Sequence, residues 1–182
     1  MSDVSKVFDL IKENDVKYVD LRFTDPRGKL QHTAQHVCTI NEEVFTDGIM
    51  FDGSSIAGWK AINESDMVLM PDASTAVMDP FAAQPLLTLF CDVLEPLTGQ
   101  PYGRDPRSIA KNAEKYMASA GIGDTAYFGP EAEFFVFDDV RFEVSMNRCF
   151  YEVDSEEGPY VTGKKFDDGN LAHRPGIKGG YF

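Results

Sequence analysis

Val4, Val7, Phe8 and Ile11 recur at the i, i+3, i+4, i+7 spacing of one helix face, with Ser2 or Asp3 placed to cap the first turn. From Lys17 to Phe23 the period shortens to two. Val19, Leu21 and Phe23 alternate with Tyr18, Asp20 and Arg22, and Asp25-Pro26-Arg27-Gly28 supplies turn chemistry before a second run, Lys29 to Cys38. This pattern predicts a hairpin. Asp52-Gly53-Ser54-Ser55-Ile56-Ala57-Gly58 is too rich in Gly and Ser for a helix or a central strand and reads as an exposed loop. Apolar runs at Met67–Met70 and Leu86–Leu94, separated by proline-punctuated turns, complete a mixed sheet with the first helix packed on it.

Around Thr98–Pro106 the chain turns to Gly, Pro and charge, the composition of a domain boundary. A second unit is expected to begin there. Asp105 is placed to cap a helix and Pro106 to take its first position. Ile109, Ala113, Tyr116, Met117 and Ala120 share a face until Gly121 ends it. Ala126–Phe128 and Glu131–Phe137 are rich in strand formers. The stretch from Arg141 to Lys165 carries no recognisable motif, and neither internal repeats nor low-complexity tracts occur. The chain closes on Lys178-Gly179-Gly180-Tyr181-Phe182, where whole domains more often end polar and frayed, and the second unit looks too small to close a core. The expectation is an N-terminal piece of a longer protein.

Composition narrows the classes. With 17 Lys and Arg against 30 Asp and Glu, the 182-residue chain carries a net charge of −13, which disfavours nucleic-acid binding. Cys38, Cys91 and Cys149 are odd in number and widely spaced, which fits a reducing, cytoplasmic setting better than a disulfide framework. Neither a secretory leader nor an apolar run of about 18 residues is present, which argues against secretion and membrane spanning.

Glu131 and Glu133, at i and i+2 of an expected strand, project from one face about 7 Å apart at their roots. A solvated sheet face is the ordinary reading of such a pair. Apolar neighbours on both sides, Ala132, Phe134, Phe135, Val136 and Phe137, instead predict a strand buried on both faces, where glutamates need a partner or a metal. Hard oxygen ligands of this kind suit Mg2+ or Mn2+. Asp52 with Ser54 and Ser55, beside Phe51 and Trp59, offers a carboxylate, hydroxyls and aromatic faces for a small ammonium-like cation. Its plain alternative is a tight turn. Gly158–Lys165 nearly matches a phosphate-binding loop, but Lys165 replaces the hydroxyl residue and no helix follows, so a charged surface hairpin is preferred. His32 and His36 lie about 13 Å apart on one strand, too far to share a metal.

Taken together, Phe51-Asp52-Gly53-Ser54-Ser55 with Trp59, Gly129-Pro130-Glu131-Ala132-Glu133-Phe134-Phe135, and His173-Arg174-Pro175 leading to Lys178–Phe182 resemble the type I glutamine synthetases of bacteria. The resemblance covers the whole chain. It implies an α+β fold: a β-grasp domain over residues 1–102, then the beginning of the catalytic α/β domain over 103–182. It also implies ATP-dependent ligation of glutamate and ammonia through γ-glutamyl phosphate, in nitrogen assimilation, at a site with two Mg2+ or Mn2+ ions. In that likeness Glu131 and Glu133 are metal ligands. Asp52 helps bind ammonium and takes its proton, and Ser55 and Tyr181 line the same pocket. The resemblance further implies that the remaining metal ligands and most of the nucleotide pocket fall beyond this stretch, and that the family assembles as a dodecameric homo-oligomer with active sites between subunits, so the chain alone is expected to be inactive. Two other readings remain: a γ-glutamyl-polyamine ligase, or a non-catalytic β-grasp assembly module.

Overall fold

A computed structural model describes residues 3–155 and 162–164. The chain divides between Ala126 and Tyr127 into two compact units. In the first, helix α1 (Asp3–Glu13) precedes strands β1 (Tyr18–Thr24), β2 (Leu30–His36), β3 (Ile49–Asp52), β4 (Asp66–Pro71), β5 (Val77–Met78) and β6 (Leu86–Leu94), then helix α2 (Pro106–Ser119). The sheet runs β2-β1-β6-β4-β3, with β5 also on β6. Strands β1 and β6 pair in parallel and all other neighbours are antiparallel.

The period-two reading of β1 holds for Val19, Leu21 and Phe23, which are buried, but Asp20 on the opposite face is buried too, its carboxylate accepting from Arg22 Nε at 2.7 Å and lying 2.8 Å from His32 Nδ1. The hairpin turn is organised by Asp25, whose Oδ1 accepts from the N–H groups of Arg27 and Lys29, each at 2.9 Å. Gln31 Nε2 donates to its other oxygen at 3.0 Å. Of the helix face predicted for α1, Val7 is fully buried, and Phe8 and Ile11 pack on the core with Leu10. Each such side chain removed from water contributes about 1.5–3 kcal/mol.

Three segments depart from the sequence reading. Ile49–Asp52 forms strand β3, so Asp52 ends a strand and does not belong to a free loop. Four residues give too short an alternation to register as a strand, and the pairing with β4 depends on Gly48. That glycine has φ 73°, and a Cβ on it would lie 2.3 Å from Val68 Cγ1. Ala126–Phe128 and Glu131–Phe137 are not strands, and nearly all of these residues are exposed, with Phe134 at 78%. Their composition favours strands, but a strand exists only in a ladder, and neither segment takes part in a described strand pairing.

Helix α2 has the Asp105 cap and N-terminal Pro106 that the sequence predicts. Its apolar face is not buried, however, with Ile109 55% and Tyr116 68% exposed. Polar contacts at its first turn dock it. Asp105 is fully buried. It accepts from the Ser108 hydroxyl at 2.6 Å, from the Ser108 N–H at 3.2 Å and from the β6 backbone N–H of Val93 at 3.3 Å.

In the second unit, β7 (Asp139–Val144) and β8 (Cys149–Asp154) form an antiparallel hairpin where the sequence offers no motif. Arg141 bridges Asp139 and Glu152, and Arg148 lies over the Phe150 ring. Thr162 closes onto the buried Asp154, its N–H donating at 3.1 Å.

Candidate functional site

Strand β3 delivers Asp52 to the sheet edge, and a single 3-10 turn, Gly53–Ser55, follows it. Asp52 caps that turn. Its Oδ1 accepts from the Ser54 N–H at 2.8 Å and the Ser54 hydroxyl at 2.6 Å, while Oδ2 accepts from the Ser55 hydroxyl at 3.1 Å. The Ser54 hydroxyl and then its N–H hold the carboxyl below the ordinary carboxylate value, outweighing the desolvation that opposes them. Asp52 is therefore an exposed, ionised carboxylate fixed in direction. Ser54, rather than Ser55, makes the tighter contacts.

Gly53 is buried and cannot carry a side chain. A Cβ there would meet Met67 Sδ at 2.3 Å and the Ser65 carbonyl at 3.0 Å, and the Gly53 N–H donates to that carbonyl at 2.7 Å. The turn is thus packed against Ser65 and the β4 residue Met67. The β3–β4 register places Asp66 directly opposite Asp52. Opposite side chains share a sheet face with Cβ atoms about 4.5–5.5 Å apart, so two carboxylates face one another there. Asp66 escapes sequence reading because its placement depends on pairing across 14 positions.

The aromatic neighbours do not form the cation box that the sequence suggests. Trp59 is 6% exposed and packs on Phe23, Phe51 and Tyr102, with ring centroids 5.5, 6.1 and 5.5 Å away. These four rings fasten the turn's base to the core, because a hydrophobic strand face pulls the indole inward. A cation does meet an aromatic nearby: Lys60 Nζ lies 5.3 Å from the Tyr102 ring centre and donates to Glu95 at 2.7 Å. Glu95 pushes the Lys60 ammonium above its ordinary value. Farther along the loop, Arg104 donates to the Gly58 carbonyl at 2.7 Å.

A second carboxylate turn lies in the same unit. Asp72 caps Ala73–Thr75, accepting from the Ser74 N–H at 3.1 Å and the Ser74 hydroxyl at 2.6 Å. Here the Arg107 guanidinium of α2 binds Asp72 Oδ2 and also donates to Asp92 at 2.9 Å, while Lys111 reaches Asp92 at 2.5 Å. Among the described residues Asp52 has no such ion pair.

Glu131 and Glu133 lie in the exposed segment without regular structure that opens the second unit. The buried strand expected for them is absent, for the reason given above, but both carboxylates present hard oxygen donors to solvent, a donor set that fits Mg2+ or Mn2+. No group of three or more metal-ligating side chains forms among the described residues. Tyr181, the His173-Arg174-Pro175 stretch and most of Gly158–Lys165 lie outside the described residues. His32 and His36 have separate partners: Asp20 at 2.8 Å and Cys38 at 3.0 Å.

Comparison with known proteins gives this geometry a family. Residues 15–96 match the β-grasp domain of glutamine synthetase, and residues 103–182 match its catalytic domain. A glutamine synthetase of Azospirillum brasilense is 79% identical over the whole chain, which covers 39% of that protein. One from Rhizobium meliloti is 58% identical with the same coverage. A protein of Cupriavidus pinatubonensis named 3-hydroxylaminophenol mutase is 58% identical over 98% of the chain. The chain thus spans about two fifths of the length of the curated relatives it matches. Among solved structures, a Plasmodium falciparum glutamine synthetase superposes with a TM-score of 0.64 at 23% identity, over 87% of this chain and 30% of its own, a likeness of fold. No described helix is long and apolar enough to cross a membrane. With both its β-grasp and its catalytic portions matched, the chain belongs to the glutamine synthetase family.

Proposed function

We propose that this chain works as part of a glutamine synthetase that joins glutamate and ammonia at the expense of ATP, and that Asp52 is its ammonium-binding carboxylate. The observation that carries the reading is the Asp52 turn: an ionised carboxylate held in direction by Ser54 and Ser55, opposite Asp66. A low carboxyl pKa favours holding a cation over accepting a proton. Exclusion of water by bound substrate reverses that preference, because desolvation raises a carboxylate's affinity for protons. Asp52 then serves as the base that converts ammonium into a nucleophile. Ser55 lines the ammonium pocket through its hydroxyl, and Tyr181 is proposed beside it on the strength of the family resemblance.

Glu131 and Glu133 would hold divalent ions, one on the ATP side and one nearer glutamate. Such ions, when bound, neutralise phosphate charge and polarise the transferred group, which lets a chain of net charge −13 accept ATP. Two carboxylates do not complete a binuclear site, so the 182-residue chain alone should form no glutamine. Completion falls to the remaining length of a longer chain and to a homo-oligomer with sites between subunits. A domain boundary at 102/103 and a cytoplasmic location belong to the same reading.

The test is glutamine formation by the full-length protein as a function of ammonium. Asp52→Asn is expected to lower kcat/KM for ammonium by about 10²-fold or more while the glutamate KM stays in place. An unchanged ammonium dependence would overturn the assignment. Glu131→Gln and Glu133→Gln should each raise the Mg2+ or Mn2+ concentration needed for half-maximal activity.

A further inference from the structure

The three cysteines occupy three different settings. Cys91 is buried, and desolvation, with Asp92 next, pushes its thiol up to about 12. Cys149 is exposed on β8. Cys38 is also exposed, but its Sγ lies 3.0 Å from Nδ1 of His36. A second contact settles the direction of that one. The Cys38 backbone N–H donates to the same Nδ1 at 3.3 Å, which marks this nitrogen as the unprotonated acceptor of the ring. The thiol hydrogen is the remaining donor available to it. His36 caps the 3-10 turn Val37–Thr39, and its ring packs edge-on against Tyr18 with centroids 5.6 Å apart. The imidazole is therefore held in place, with its basic lone pair aimed at the sulfur.

We propose that Cys38 and His36 form a thiol-modification site, separate from the Asp52 site, that undergoes exchange with uncharged or cationic low-molecular-weight disulfides. His36 Nδ1 takes the thiol proton as Cys38 Sγ attacks one sulfur of the disulfide. A new S–S bond forms to Cys38, the original S–S bond breaks, and the departing thiolate takes up the proton held on Nδ1. One thiol is consumed and one released: Cys38 is oxidised to the mixed disulfide, and the low-molecular-weight disulfide, which is the oxidant, is reduced. The preference for uncharged or cationic reagents follows from the net charge of −13, which repels anionic ones.

The test is a timed exposure of the intact protein to 4,4′-dithiodipyridine, an uncharged disulfide, with residual thiols alkylated at intervals and each cysteine peptide quantified. Cys38 is expected to react at least about tenfold faster than Cys149, a factor below that of enzyme bases because both groups of the pair are open to solvent. In His36→Asn, whose amide oxygen can still cap the Cys38 N–H, Cys38 should fall to the Cys149 rate. Equal rates for Cys38 and Cys149 in the unaltered protein would overturn the proposal, as would an undiminished Cys38 rate in His36→Asn. Labelling of Cys91 reports any loss of fold in the variant, and the comparison within the unaltered protein then decides.

Discussion

Asp52 and Asp72 open two turns of nearly the same construction. Their backbones enter alike, at φ −84°, ψ 100° and φ −91°, ψ 102°, and each carboxylate takes the N–H and hydroxyl of the serine two residues on. They diverge at the other carboxylate oxygen. At Asp72 it is bound by Arg107, and the Thr75 hydroxyl turns away, donating to the Asp72 carbonyl at 2.6 Å and accepting the Phe90 N–H at 2.9 Å. At Asp52 the same oxygen accepts from the Ser55 hydroxyl, meets no cationic side chain among the described residues, and lies on a strand end paired with Asp66. One local device thus does two jobs. Where the chain supplies the cation, the turn is scaffold. Where it supplies none among the described residues, the turn is, on the function proposed above, a place for a cation from outside.

The sharpest way to break that contrast is to neutralise each carboxylate in turn. Asp52→Asn should cost about 10²-fold or more in ammonium-dependent turnover. Asp72→Asn should leave the ammonium KM of the folded enzyme where it was. If the two variants behave alike in the ammonium titration, the division of labour is wrong.

Next in size is Arg107→Ala. It leaves Asp72 and Asp92 without the guanidinium, and because the arginine is still 28% exposed the cost is about 2–3 kcal/mol, below that of a fully buried pair. Urea unfolding would read this as a lower midpoint, and an unchanged midpoint would reduce Arg107 to a surface charge.

Position two of the turns offers a smaller effect. Ala73 carries a methyl group that Gly53 has no room for, so Gly53→Ala should destabilise by about 1–3 kcal/mol through overpacking on the buried Met67. Ala73→Gly should cost about 1 kcal/mol or less, chiefly through the freedom gained by the unfolded chain. Thermal denaturation of the pair checks the asymmetry.

The smallest effect is acid loss of stability. Burial works to raise Asp72, but Ser74 and the charges of Arg107 and Lys111 outweigh it, so both turn carboxyls lie below their ordinary value of 3.8. Groups lowered on folding stabilise the protein above the unfolded pKa and lose that contribution as pH falls through the folded one. Unfolding midpoints should therefore be level near neutrality and drop below about pH 4. In Arg107→Ala the drop should be shallower, since Asp72 has lost its charge partner.

Local chemistry was legible in the sequence and pairing was not. Helix α2 is written in Asp105, Pro106 and Gly121, and the β1–β2 hairpin in the alternation around Asp25, because caps and turns act over a few residues. Strand β3 and the placement of Asp66 depend on contacts between distant segments, for which the sequence holds no short-range sign. Glu131–Phe137 errs in the other direction: strand-forming composition outside any described strand ladder gives a largely exposed segment. For the site, the Asp52 motif was visible, but the inward turn of Trp59 was not. Its indole could serve a cation or the core, and only packing against Phe23 and Tyr102 decides.

The position of β6 has a consequence for synthesis. Strands β1 and β2 make one hairpin and β3 and β4 another. Leu86–Leu94, the last strand of this sheet to leave the ribosome, enters between them. Until it arrives, the edges at Tyr18–Arg22 and Val68–Pro71 have no partner on the side that β6 will take, and such edges invite pairing with other nascent chains. A nascent chain whose residue 71 has emerged from the exit tunnel but whose residues 86–94 have not therefore holds two sticky half-sheets. Once residue 94 has emerged, the sheet can close.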